Sequence, residues 1–373
     1  MSENTLPGRV PLPGLSSRAY EHPADRSALV ALRSLTGFDV VLKALSGFFR
    51  ERSHRLMYLA SSVRVSERQF ADLNGIYAEL VEILDVPERP ELFIEQGPSA
   101  TAMTMGMDKP FIVVSTGMLS LMDADELRFV LAHELGHVLS GHAVYRTMLH
   151  HLIRLSARAA WVPVGYLGLR AVIGALEEWS RKSELSADRA GLLGCQDPSA
   201  GLRALMKIAG GSHLYEMDEQ AFLAQAAEYD AAGDLRDGVL KLLNLEGQRH
   251  PFTVLRAAEL QRWVDDGEYA AVIAGSYPLR EDDPRASFTD EVKATAKSYK
   301  RSIDESADPL LRLVKSVGDE AVGFGRGIFN KVNNARTAGG AATATAPQDM
   351  TDDDMTDVFD GEVIEDDDPP TTH

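Results

Sequence analysis

Residues 133–137 read His-Glu-Leu-Gly-His, which sets two imidazoles four residues apart with a carboxylate beside the first. On an α-helix that spacing turns both rings from neighbouring turns toward one point, where a metal ion about 2 Å from each nitrogen is held. Glu134 flanks such an ion rather than ligating it. A zinc-bound water, its pKa lowered to about 7, needs a base to take its proton, and a carboxylate in this position suits that task. Catalytic zinc takes three protein ligands and keeps one position open, so a third donor must be found. The metzincin pattern requires a Gly and then a third His soon after the second, but Ser140 and Ala143 stand at those places. A second pattern puts a Glu on a later helix with an acidic residue one turn on, and residues 183–188, Ser-Glu-Leu-Ser-Ala-Asp, satisfy it. Glu184 is therefore the expected third ligand. Asp188, on the same face, is expected to accept the free N–H of a ligand histidine and fix its tautomer. The constellation predicts one Zn2+ per chain, held by His133, His137 and Glu184.

These residues need two helices brought close together. Asp123 with Glu126 forms a capping-box signature, and Leu127, Val130, Leu131 and Val138 mark a buried face, so the motif falls inside a helix. Ala187, Ala190, Gly191 and Gly194 make the partner helix slim enough for close approach. Ahead of them, segments 91–96, 100–105 and 111–116 read as three strands, punctuated by Gly97-Pro98 and by Asp108-Lys109-Pro110. Residues 26–85 read as helices, with apolar positions such as Leu29, Leu32, Leu35, Leu73, Ile76, Leu80 and Leu84. Further helical patterns cover 149–193, 201–208, 216–231, 235–245 and 252–264. The expected class is α+β, mostly α: a zincin-like catalytic domain with the motif helix, a small antiparallel sheet and additional helices.

The chain has 373 residues, 45% hydrophobic and 25% charged, enough to bury a large core. Its net charge of −18 is uneven, because residues 349–373 carry 11 acidic side chains and no Lys or Arg. Such a segment buries too little apolar surface to offset the entropy of ordering it. The expected organisation is a disordered N-terminus over 1–25, a peptidase domain over 26–270, a helical extension over 271–338, and a disordered linker and acidic tail over 339–373. The acidic balance argues against nucleic acid as a partner. Cys195 is the only cysteine, which excludes an intramolecular disulfide framework and a cysteine-based metal cluster. Residues 1–25 lack the basic start and apolar run of a secretory signal, so a cytoplasmic location is expected.

With these residues in view the chain resembles the HtpX-like heat-shock peptidases and CAAX prenyl proteases, which are gluzincin metallopeptidases. The resemblance runs over roughly 91–260. It takes in residues 113–119, the Glu126-Leu127 pair, 132–142 and 180–191, and also His250-Pro251 followed by Arg256. It implies an endopeptidase acting on unfolded or membrane proteins, in protein quality control, with the substrate backbone received by an edge strand drawn from 100–105 or 111–116. For His250 three roles stand open: donating to the tetrahedral oxyanion as a catalytic group, capping the zinc, or ending a helix beside Pro251. Arg256 either steadies a substrate carbonyl or forms an internal ion pair. His142, His150 and His151 fit no ligand spacing and read as polar-face or packing residues. Tyr145 and Tyr166 are candidate hydroxyl donors that nothing in the sequence separates.

The expected activity is thus zinc-dependent cleavage of internal peptide bonds in polypeptide substrates. The alternative is a metal-binding interaction or chaperone-like protein at a membrane surface, in peripheral contact with lipid or a partner protein; no feature sets an oligomeric state. Residues 159–176, whose only charge is Arg170, look apolar enough to span a bilayer. A single crossing there would put His137 and Glu184 on opposite sides, so a buried helix or hairpin is expected instead.

Overall fold

The computed structural model describes residues 8–34, 51–159, 166–231 and 252–283. Along the chain α1 (Pro23–Ser34) and α2 (Glu51–Ser61) lead to a short strand β1 (Val63–Arg64) and to α3 (Ala71–Ile83). Strands β2 (Glu91–Glu95), β3 (Ala102–Met105) and β4 (Phe111–Ser115) follow. Then come α4 (Thr116–Leu121), α5 (Ala124–Leu139), α6 (His142–Ala159), α7 (Tyr166–Cys195), α8 (Pro198–Gly210), α9 (Glu219–Ala231), α10 (Thr253–Asp265) and α11 (Glu268–Ile273). The segments 235–245, His250 with Pro251, and the extension and tail from residue 284 onward lie outside the described residues.

The sheet is mixed rather than antiparallel, with strand order β1-β2-β4-β3. β3 folds back on β4 antiparallel, Ala102 opposite Val114, while β2 pairs parallel with β4, Leu92 opposite Ile112. The reason is connectivity: β3 takes the outer side of β4, leaving β2 to lie along β4's other side in the same direction. Every residue of β4 is buried, as expected of a strand covered on both faces. Its Ile112 and Val114 join Leu92 and Ile94 in the main core, whereas Phe111 and Val113 pack with Phe93 and Tyr58 on the other face. Residues 26–85 are not helical throughout: Val63 and Arg64 pair with Ile94 and Phe93, two residues being too short a run to show a strand period.

A second correction concerns the N-terminus. The segment from residue 8 to residue 25 is packed, not disordered. Leu12, Leu15 and Tyr20 are buried in the main core, and the Leu12 N–H donates to the Ile83 carbonyl at 2.8 Å. The prolines that make this stretch look irregular sit where the chain turns or starts a helix, Pro13 in a turn with Gly14 and Pro23 at the start of α1, and leave its apolar side chains in the core. Cys195 is buried and free, and burial pushes its thiol up to about 12, consistent with a packing role.

The cap expected at Asp123 is present. Its carboxylate accepts from the Asp125 and Glu126 N–H groups at 2.9 and 3.0 Å, while Glu126 Oε2 accepts from the Asp123 N–H at 2.8 Å. Helix α5 is fully buried from Phe129 to His137, between the sheet and α7, and the chain turns away from it at Gly141, where φ of 68° suits a residue without a Cβ. Small residues set the distance between α5 and α7. A Cβ at Gly136 would come within 2.5 Å of the Ala190 Cβ, and one at Gly191 within 2.9 Å of the Phe129 carbonyl oxygen. Gly136→Val is therefore expected to lower Tm by roughly 5–10 °C, from about 2–3 kcal/mol of overpacking, and to weaken metal binding as the helices part. Calorimetry and zinc titration check this; wild-type values for both would mean the crossing tolerates the bulk.

Helices α6 and α7 pack together through Met148 and Leu152 against Val172, Ile173, Leu176 and Trp179. Apolar residues within 159–176 thus meet protein on at least one side. Among the described residues no helix is long and apolar enough to cross a membrane.

Candidate active site

The α5–α7 crossing brings together the residues singled out by type and spacing. His133, His137 and Glu184 are all buried, and each offers a ligand atom within 4.8 Å of the others. Glu184 Oε2 is 3.5 Å from His133 Nε2, and its Oε1 is 3.3 Å from His137 Nε2. Asp188, one turn along α7, has Oδ1 3.0 Å from His133 Nδ1. With that nitrogen donating to the carboxylate, Nε2 is the ring atom of His133 turned toward Glu184.

Glu134 is buried beside the trio, 3% exposed. The Thr104 hydroxyl on β3 lies 2.6 Å from its Oε2 and 3.0 Å from its backbone carbonyl oxygen. Since β3 ends the sheet, the carboxylate next to the metal-ligand candidates is tied directly to an edge strand.

The buried charges act oppositely on the two imidazoles. Burial alone would depress the His133 imidazole, but hydrogen bonds and attraction from Asp188 and Glu184 outweigh it and lift the group to about 9. Burial, and next the Arg146 guanidinium, drive His137 well below its ordinary value, keeping a neutral ring with a lone pair to give. Arg146 Nη1 lies 2.8 Å from His137 Nε2 and also pairs with Glu184 Oε1. The chain itself thus sets positive charge between two of the three donors. Two imidazoles and a carboxylate around such a point fit a divalent ion of zinc's preferences.

The model of Peptidase family M48 matches residues 67–264, more than half of the chain and the whole of this constellation. The chain belongs to Peptidase family M48. It is 37% identical over 265 residues to the plastoglobule-localized metallopeptidase 48, chloroplastic, of Arabidopsis thaliana, covering 69% of this chain and 76% of that protein. With Protease HtpX homolog 1 of Streptomyces coelicolor it shares 31% over 211 residues, covering 49% of this chain and 69% of the relative. Protease HtpX of Xanthomonas euvesicatoria is 29% identical over 136 residues, 35% of this chain and 45% of that protein. No solved structure shows a significant match. As a member of family M48 the chain is a metallopeptidase, a hydrolase of peptide bonds, and the reading as an interaction protein without enzymatic activity falls away.

Within the M48 site the open alternatives divide. Arg256, 4% exposed, forms the internal ion pair: its Nε and Nη2 reach Asp188 at 2.7 and 2.5 Å, and its Nη1 is 3.5 Å from Glu184 Oε2. Burial disfavours the Asp188 carboxylate, yet Arg256 and His133 hold it below the ordinary range. Asp188 thus pairs with the Arg256 guanidinium and the His133 ring at once. The nearby cations Arg189 and Lys182 meet other carboxylates, Arg189 near Glu268 at 3.9 Å and Lys182 on Glu178 at 2.9 Å. His250 is among the residues not described, so none of its three roles is distinguished. Tyr145 meets Trp179 edge-on, with ring centroids 5.2 Å apart.

Sequence reasoning missed three participants. Arg146 and Thr104 carry no local signature, since the first lies on α6 and the second on a strand far from the motif. His142, by spacing a polar-face or packing residue, has its Nδ1 3.0 Å from Nδ1 of His137 and its Nε2 3.1 Å from Asp25 Oδ2. Its place five residues past His137 was the available signal, and a ligand-spacing test discards it.

Proposed function

We propose that the chain is a zinc-dependent metalloendopeptidase in which His133, His137 and Glu184 hold one zinc ion, Glu134 is the general base, and Asp188 orients His133. The observation that carries this reading is the convergence of three buried ligand atoms within 4.8 Å, with the buried Glu134 carboxylate alongside. When bound, zinc supplies the Lewis acidity that polarises the scissile carbonyl and makes water reactive at neutral pH. Glu134 takes the proton released as water adds to the carbonyl carbon and returns it to the leaving amine. Thr104 keeps that carboxylate aimed by donating to its Oε2.

An extended polypeptide adding to the outer edge of β3 would run past Thr104 and so past Glu134, which suits internal segments of unfolded chains. That substrate class fits a task in protein quality control. Removing the metal tests the core of the reading. Dialysis against a chelator is expected to abolish casein digestion, and stoichiometric zinc to restore it. Full hydrolysis by a chain shown to be metal-free would overturn the proposal.

A second reading concerns place. The cytoplasmic location expected from the sequence is not supported by the Arabidopsis relative, whose name places that protein in a chloroplast, whereas peripheral contact with a lipid surface is favoured by exposed Leu56, Met57 and Leu59 on α2. Flotation with liposomes, for the chain with and without residues 290–373, measures that contact; no flotation by either form refutes it.

A further inference from the structure

We propose that Asp25 and His142 are positioning residues for His137, fixing which of its nitrogens faces the metal; the inference rests on the zinc-site reading above. The Nδ1 atoms of His137 and His142 are 3.0 Å apart, so one ring donates across that gap and the other accepts. The far side of His142 decides which. Its Nε2 is 3.1 Å from Asp25 Oδ2, and a carboxylate only accepts, so His142 carries a proton on Nε2; Arg146 Nη1, always a donor, lies 2.8 Å from His137 Nε2, so His137 keeps its own proton on Nδ1 and a neutral His142 presents a bare Nδ1 to it. His137 is then the donor through Nδ1–H. Its Nε2, 3.3 Å from Glu184 Oε1, keeps the lone pair that a metal requires.

Asp25 is held firmly enough to set this order. It is 2% exposed, its Oδ1 accepts from Trp179 Nε1 at 3.0 Å, and its Oδ2 accepts from Ser186 Oγ at 2.6 Å. The Trp179 ring meets His142 edge-on at 5.4 Å between centroids, which fixes the plane of the intermediate imidazole. Trp179 and Ser186 both come from α7, the helix that also carries Glu184. The two histidines of the motif are therefore oriented differently: His133 reaches Asp188 directly, whereas His137 reaches its carboxylate through a second ring. Asp25 lies on α1, ahead of residues 67–264 matched by the family model, so the segment before the matched region contributes to the metal centre. Loss of an outer partner of a ligand histidine typically weakens metal binding ten- to a hundredfold.

The test uses the full-length chain. Zinc affinity is measured by chelator competition for wild type, Glu184→Ala, Asp25→Asn and His142→Phe, and the imidazole nitrogens of the zinc-loaded wild type are examined by 15N NMR. Asp25→Asn and His142→Phe are expected to bind zinc roughly 10- to 100-fold more weakly than wild type while still holding one ion. The wild-type spectrum is expected to show His142 protonated on Nε2 and His137 on Nδ1. A merely structural role for Asp25 would lower the melting temperature and leave the tautomers and zinc affinity unmoved. Wild-type affinity in both variants, with Glu184→Ala still losing the ion, overturns the relay and leaves the zinc site standing. A wild-type His142 protonated on Nδ1 overturns it too, whether or not the variants fold. Undiminished zinc in Glu184→Ala overturns the site reading and the relay with it.

Discussion

Glu134→Gln is expected to hold about one zinc per chain and to lose nearly all hydrolysis. Gln matches Glu in shape and can still accept from Thr104, whose hydroxyl lies 2.6 Å from Oε2 in the native chain. The ligand trio is untouched, so zinc occupancy and Tm should stay near wild type. The amide, however, has no basic lone pair to take the proton from water and nothing to return to the leaving amine. General acid–base catalysis of this kind is worth about 10²–10⁴ in rate, and the loss should fall on kcat with KM little changed. Paired measurements of zinc content and casein cleavage decide it. A mutant that cleaves at close to the wild-type rate with zinc bound would remove Glu134 from the role of base.

Glu184→Ala is expected to lose the metal itself. Glu184 Oε2 and Oε1 lie 3.5 and 3.3 Å from the two ligand-candidate nitrogens, and the same carboxylate faces Arg256 Nη1 at 3.5 Å and pairs with Arg146. Removing it deletes a donor and leaves two guanidinium groups near a cavity that must accept a divalent cation. The affinity loss should exceed the roughly 10- to 100-fold typical of an outer-sphere partner. Breaking a buried ion-pair network by taking away one member also destabilises, by about 3–5 kcal/mol. Glu184→Gln separates the two effects because it keeps the volume and drops the charge: zinc should be lost while more of the Tm survives. Wild-type zinc occupancy in both variants would move the third ligand elsewhere, with His250 the first residue to examine.

The local part of the site was legible because helical geometry is set within a few residues. His133 and His137 share a face through their spacing alone, as do Glu184 and Asp188, and the capping box at Asp123 needs only three residues of separation. The slimness of α7 was likewise readable from Ala187, Ala190, Gly191 and Gly194. Family resemblance, carried by the same residues, extended this to an enzyme class that the match to residues 67–264 upholds.

What only the tertiary structure decided involves partners far apart in the chain. The parallel pairing of β2 with β4 depends on which side of β4 the β3 hairpin takes, and alternation of side chains does not encode that choice. Leu12 and Tyr20 look like part of a proline-rich tail until the core they fill has formed. Thr104 meets Glu134 across 30 positions, Arg256 meets Asp188 across 68, and Trp179 meets Asp25 across 154. Each of these contacts joins groups whose own neighbourhoods give no sign of the other. Sequence periodicity records which face of an element is buried; which polar group waits on the opposing element is fixed only when the elements pack, because a buried donor or acceptor must then find its partner among whatever the fold has brought within reach.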